Sequence, residues 1–132
     1  MAVFIHYPII KYSGLNLGAF QASPQTFFGA LLLSFATAIS EETVFRGYIF
    51  NRLLKIWKNE WLANLVSSLL FSFIHLPIAV FGLSYTPPAM GVYLFLVLTY
   101  GIGAAFAFAR TGNIVSAILL HIFWAWPVIL FK

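Results

Sequence analysis

The sequence predicts an all-α, polytopic membrane protein with a four-transmembrane-helix core. Three observations carry that prediction. The chain is 62% hydrophobic. Only 8% of its residues are charged, where a soluble domain runs near about 25%. The apolar residues lie in long runs punctuated by Pro, Gly and Asn rather than in short alternating segments. At 132 residues the chain is at most one ordinary domain. A soluble chain this apolar could not cover itself with polar surface, so a soluble enzyme and a disordered segment are excluded. The net charge of +4 rests on seven Lys and Arg spread along the chain, which form no phosphate-tracking stripe, so nucleic acid is not a partner. There is no Cys, which excludes thiol nucleophiles, disulfides and Cys-type zinc sites.

The first helix is expected to start near Pro24, where Ser23 can cap it and Pro suits the first position. It runs uncharged from Thr26 to Ser40 and then through Glu41 and Glu42 to about Trp57. The second spans about Trp61 to Leu83, with Pro77 a kink or break. The third spans about Ala89 to Ala109, opened by Pro87-Pro88, and the fourth about Asn113 to Phe131. Gly112 is the expected helix stop and Asn113 the expected cap. Residues 24–132 thus form the core. Residues 1–23 are too short to span and read as an interfacial segment or the end of a partial helix. The small residues from Gly101 to Ala105 suit close helix packing in lipid. Trp57, Trp61, Trp124 and Trp126 read as an interfacial belt. The first loop region, with Arg46, Arg52, Lys55 and Lys58, and the loop at Arg110 share one side, which the positive-inside rule places in the cytoplasm with both termini outside.

Charges inside a bilayer cost about 2.5–3.5 kcal/mol each on insertion scales, so the few intramembrane polar residues need a reason. Arg46 lies one helical turn after Glu42 and can pair with it. Glu41 then points about 100° away around the helix and is free to face something else. At about 1.5 Å per residue, Glu41 lies about 16 Å from Arg52, His75 about 21 Å from Trp61, and His121 about 12 Å from Asn113. Three spans therefore bring a carboxylate and two imidazoles to a similar depth. His6 has no visible partner.

A carboxylate and an imidazole sharing a water can deprotonate it for attack on a carbonyl, and a second imidazole can donate to the oxyanion. The chain has no Asp, so a Ser-His-Asp triad is impossible. Two His and a Glu are also a known zinc set, although no H-E-x-x-H spacing favours metal. A proton relay in a transporter would use the same residue types.

Glu41-Glu42-Thr43-Val44-Phe45-Arg46 matches an EExxxR motif, and Phe71-Ser72-Phe73-Ile74-His75 an FxxxH motif. Arg110 to Ile114, followed by Leu120-His121, resembles a third block. In this order the motifs resemble the CPBP family of CAAX-protease and bacteriocin-processing intramembrane endopeptidases, also called Abi proteins. The resemblance covers about residues 24–131. It implies that Glu41 and His75 activate water, that His121 holds the oxyanion, and that Glu42, Arg46 and the motif's Phe71 support the site or the substrate. It implies a membrane-embedded or lipid-modified peptide or protein substrate, a prokaryotic cell membrane, a cavity opening toward the cytoplasm, and no catalytic zinc. The family's third motif carries Asn four residues after its His, and here Ala125 stands in that place. Asn113 and Trp124 are candidate replacement donors. Ala125 also favours the alternative expectation, an inactive same-fold membrane protein acting in bacteriocin immunity or partner binding. Four helices around a polar centre further suggest a homo-oligomer that seals the cavity.

Overall fold

The computed structural model describes residues 24–130. The expected interfacial segment 1–23, with His6 and the Ser23 cap, lies outside them, as does the side chain of Trp126. Every described element is helical, in the expected order. The first long helix comprises α1 (Pro24–Glu42), a π-helical stretch π1 (Thr43–Phe50) and α2 (Asn51–Trp57). Next come α3 (Glu60–Ile74), a short π-helical turn π2 (Ile78–Gly82), α4 (Pro87–Thr111) and α5 (Ile114–Leu130).

The boundaries follow local chemistry. Lys58 takes the left-handed conformation after α2 and its N–H donates to the Leu54 carbonyl at 2.8 Å. Asn59 then caps α3, its Oδ1 accepting from the Leu62 N–H at 3.1 Å. Pro87 opens α4 at a position where its missing N–H costs nothing. Gly112 ends α4 at φ 61°, where glycine pays no Cβ penalty. Asn113 Oδ1 accepts from the Val115 N–H at 2.9 Å and starts α5, as the sequence led one to expect. Within π1, the wider winding frees backbone carbonyls, and Asn51 Nδ2 satisfies that of Gly47 at 2.9 Å.

Three helical stretches are long and apolar enough to cross a membrane: Phe27–Trp57, Glu60–Gly82 and Pro87–Thr111. The fourth, Ile114–Leu130, has 17 residues, at the lower end of what a span needs. Their outer faces carry large apolar side chains with no protein cover, among them Leu32 at 73%, Trp61 at 68%, Phe81 at 84% and Phe95 at 66% exposed. Such a surface is tolerated only against hydrocarbon.

The helices are not evenly packed. π1 is the hub, touching every neighbouring helix. α3 packs along α4, and α1 packs along α5. Among the described residues the α1 backbone does not run beside α3 or α4, and α1 reaches α4 through the Glu42 carboxylate at its end, which is bonded to Tyr100. The bundle is closed at the end bearing Arg52, Lys55, Lys58 and Arg110, where Arg110 pairs with Glu60 across the helix ends. There Phe50, Ala63 and Ala105 form a packed layer with Leu53, Leu54 and Phe108 around it. Above it lies a second layer of Phe45, Phe71, Val97, Tyr100, Ala104 and Ala117. α4 also packs along α5, which joins the α1–α5 and α3–α4 pairs. Gly101, Ala104 and Ala105 are buried, as expected of small residues at a helix contact in lipid. A Cβ on Gly101 would stand 3.1 Å from Ser68 Cβ.

Candidate active site

The site lies where α1 becomes π1. Glu42 is fully buried and Arg46 is 1% exposed. Arg46 Nη1 donates to Glu42 Oε1 at 3.1 Å and lies equally far from Oε2, which it meets as a charge contact. Arg46 Nη2 donates to the Gly101 carbonyl of α4 at 3.1 Å. Its guanidinium stacks over the Phe71 ring at 4.4 Å and faces Tyr100 at 5.4 Å. Glu42 Oε1 also accepts from the Tyr100 hydroxyl at 2.6 Å and from His121 Nδ1 at 2.8 Å. Three donors from three elements therefore converge on one buried oxygen, the arrangement that makes a buried carboxylate tolerable.

Glu41, the next residue, projects to the other side. Its Oε2 is sequestered and takes no hydrogen bond from the described residues. Two imidazole nitrogens flank it, His75 Nε2 at 3.9 Å and His121 Nε2 at 3.8 Å. Both separations exceed direct hydrogen bonding. They suit a water seated beside the three atoms, since two hydrogen bonds of about 2.8 Å span such a gap at a bent angle.

The local sequence explains how His75 comes to point there. Pro77 has no N–H, and its ring would meet the Phe73 carbonyl in a continuing helix, so α3 stops at Ile74. The backbone tightens, and the His75 N–H donates to the Ser72 carbonyl at 3.1 Å. The Phe71 carbonyl is thereby released to accept from His75 Nδ1 at 2.8 Å. Because a carbonyl only accepts, Nδ1 carries the proton and neutral His75 presents a lone pair on Nε2. His121 is oriented in the same way by Glu42 at its own Nδ1. The Phe71 ring lies under both imidazoles, with centroids 4.7 Å from His75 and 6.1 Å from His121.

The profile of the type II CAAX prenyl endopeptidase Rce1-like family matches residues 23–127 of this chain. The chain belongs to that family. Significant matches were found neither among curated proteins nor among solved structures. Rce1-like membership brings the intramembrane endopeptidase kind of enzyme, agrees with the CPBP resemblance of the motifs, and with the apolar helices makes this an integral membrane protein.

All six residues singled out in the sequence, Glu41, Glu42, Arg46, Phe71, His75 and His121, meet at this Rce1-like site. Tyr100 was missed. It is 4% exposed and directly bonded to Glu42, but nothing marks a single Tyr in an apolar span as a site residue. Two expectations need correction. Asn113 cannot replace the donor missing at Ala125, because it caps α5 on the exposed turn, about 12 Å along the helix from His121. Trp124 is not an interfacial belt residue. It is half-buried against Tyr100, with ring centroids 5.6 Å apart, because it lies one turn from His121 on the same helix face. Zinc was the alternative cofactor. Among the described residues there is no group of three or more His, Cys, Asp or Glu that could hold a metal ion.

Proposed function

We propose that this chain is an active intramembrane endopeptidase that hydrolyses a peptide bond of a membrane-associated, prenylated substrate through a water activated by Glu41 and His75. The observation carrying this reading is the uncommitted Glu41 Oε2 between two imidazole Nε2 atoms at 3.9 and 3.8 Å. Family membership supplies the substrate class.

In this reading the water donates one hydrogen bond to Glu41 and the other to His75 Nε2, whose lone pair faces it. Glu41 takes the proton as the water oxygen attacks the scissile carbonyl carbon. The carbonyl π pair moves onto oxygen, and His121 Nε2 donates to the oxyanion when its ring carries both protons, with Glu42 as the counter-ion within reach. Collapse expels the amine, which takes the proton held on Glu41. Arg46 and Tyr100 hold Glu42 still, so His121 keeps its direction. Among the described residues α1 and α3 do not run beside each other, and in this reading a lipid-anchored chain reaches the carboxylate between them from within the bilayer.

Ala125 favours a second reading, a same-fold membrane protein that binds partners without cleaving them. The deciding experiment uses the purified protein in detergent with a quenched fluorescent, farnesylated CAAX peptide. Wild type, Glu41→Gln and His75→Ala are each assayed with and without chelator. Cleavage that survives chelator and is lost in both variants is expected. Loss on chelation with recovery on zinc would replace the water-activation scheme by a metal one. A folded but inert wild type that gains activity as Ala125→Asn would establish the binding reading.

A further inference from the structure

We propose that Tyr93 is the second hydrogen-bond donor to the oxyanion, filling the role left open by Ala125, an inference that rests on the peptidase reading above. Tyr93 lies on α4 two turns before Tyr100, on the same helix face. Its ring stands 6.3 Å from that of His75 and packs edge-on against Tyr85 at 5.4 Å. It thus stands beside the His75 imidazole that flanks Glu41. Its hydroxyl is within electrostatic reach of Glu41.

The remaining donors around Glu41 are already committed. The Tyr100 hydroxyl is held by Glu42 at 2.6 Å, and both Arg46 nitrogens that face the site are bonded. His75 Nδ1 and His121 Nδ1 are bonded to Phe71 and Glu42. His75 Nε2 is needed as an acceptor for the water, which leaves His121 Nε2 as a single donor. The Tyr93 hydroxyl has no hydrogen bond to another described residue and is not sealed in the interior, so it is free to donate. A phenol is a suitable donor here because it needs no change of charge to give its hydrogen bond. A tetrahedral intermediate at the water position then meets His121 on one side and Tyr93 on the other. No bond to Tyr93 forms or breaks, and its proton stays on the phenol.

The test is Tyr93→Phe in the full chain, assayed with the same farnesylated CAAX peptide. Phe keeps the ring contacts with His75 and Tyr85, so folding is retained. Loss of one oxyanion donor predicts a fall in kcat of about 10²-fold with KM little changed. Adding Ala125→Asn to Tyr93→Phe supplies a donor one turn beyond His121 and should restore about tenfold or more of that loss. A purely structural role for Tyr93 would show no such rescue. Tyr93→Phe that cleaves like wild type while Glu41→Gln is dead overturns this proposal and leaves the peptidase reading standing. A rise in KM alone, or a loss in kcat without rescue, also overturns it. Wild type no more active than Glu41→Gln overturns the peptidase reading and this proposal with it.

Discussion

Replacing Arg46 by Met should nearly unfold this protein, although the substitution removes a charge from a membrane interior. Arg46 is 1% exposed, and its guanidinium holds Glu42 at 3.1 Å, the Gly101 carbonyl at 3.1 Å and the face of Phe71 at 4.4 Å. Met refills much of the volume but none of the hydrogen bonds. Glu42, fully buried, is left with Tyr100 and His121 as donors and no counter-charge on its own helix. Breaking a buried ion pair from one side costs about 3–5 kcal/mol, where total stability is about 5–15 kcal/mol. A loss of about 4 kcal/mol shifts the folding equilibrium by roughly 10³-fold. The four Trp residues allow unfolding to be followed by fluorescence as SDS is titrated into mild-detergent micelles. The double variant Glu42→Gln, Arg46→Met removes both charges and should regain more than half of the lost stability without regaining cleavage. An Arg46→Met protein within about 1 kcal/mol of wild type would refute the assignment of Glu42–Arg46 as the pair that holds π1 to α4.

Further outcomes are expected from the same structure. Glu41→Gln should lower cleavage by about 10²- to 10⁴-fold, the usual contribution of a general base. Its thermal midpoint should stay equal or rise, because a sequestered oxygen with no hydrogen bond is relieved of its charge; a marked fall in midpoint would argue for a structural Glu41. Gly101→Ala places a Cβ 3.1 Å from Ser68 Cβ and 3.3 Å from Arg46 Nη2. It should cost about 1–3 kcal/mol in the same SDS titration, whereas Gly103→Ala, which meets nothing within 4 Å, should be neutral or stabilising. The chain has no native Cys, so single cysteines report sidedness directly. By the positive-inside rule, Lys58→Cys should react with impermeant maleimide only from the cytoplasm and Ser84→Cys only from the other face. The reverse labelling would overturn the charge-derived orientation.

Much of this was legible in order along the chain. Apolar runs bounded by Pro24, Pro87 and Gly112 marked the helices, because a helix in lipid must satisfy its own backbone and can stop only where the chemistry allows. The adjacent Glu41 and Glu42, with Arg46 one turn on, marked the site because uncompensated charge in hydrocarbon is costly. The depth argument brought His75 and His121 toward Glu41 from helix rise alone. The π-helical stretch was not legible, since Thr43–Phe50 has no feature that separates i→i+5 from i→i+4 winding. Nor was the broken Nδ1 geometry of His75, which depends on the Phe71 carbonyl released at the Pro77 stop.

What the sequence determined by itself was the class of protein, the order of the helices and the polar residues that needed a reason to lie in the membrane. These are consequences of residue type and spacing along one strand of chain. The tertiary structure alone decided the division of labour between two adjacent carboxylates. Glu42 faces inward to Arg46, Tyr100 and His121, while Glu41 lies between His75 and His121 with its Oε2 uncommitted. It also decided that Tyr100 holds Glu42 and that Asn113 caps α5 instead. Those facts depend on which faces of separate helices meet, and a meeting of faces is set by packing across the bundle, which no local pattern encodes.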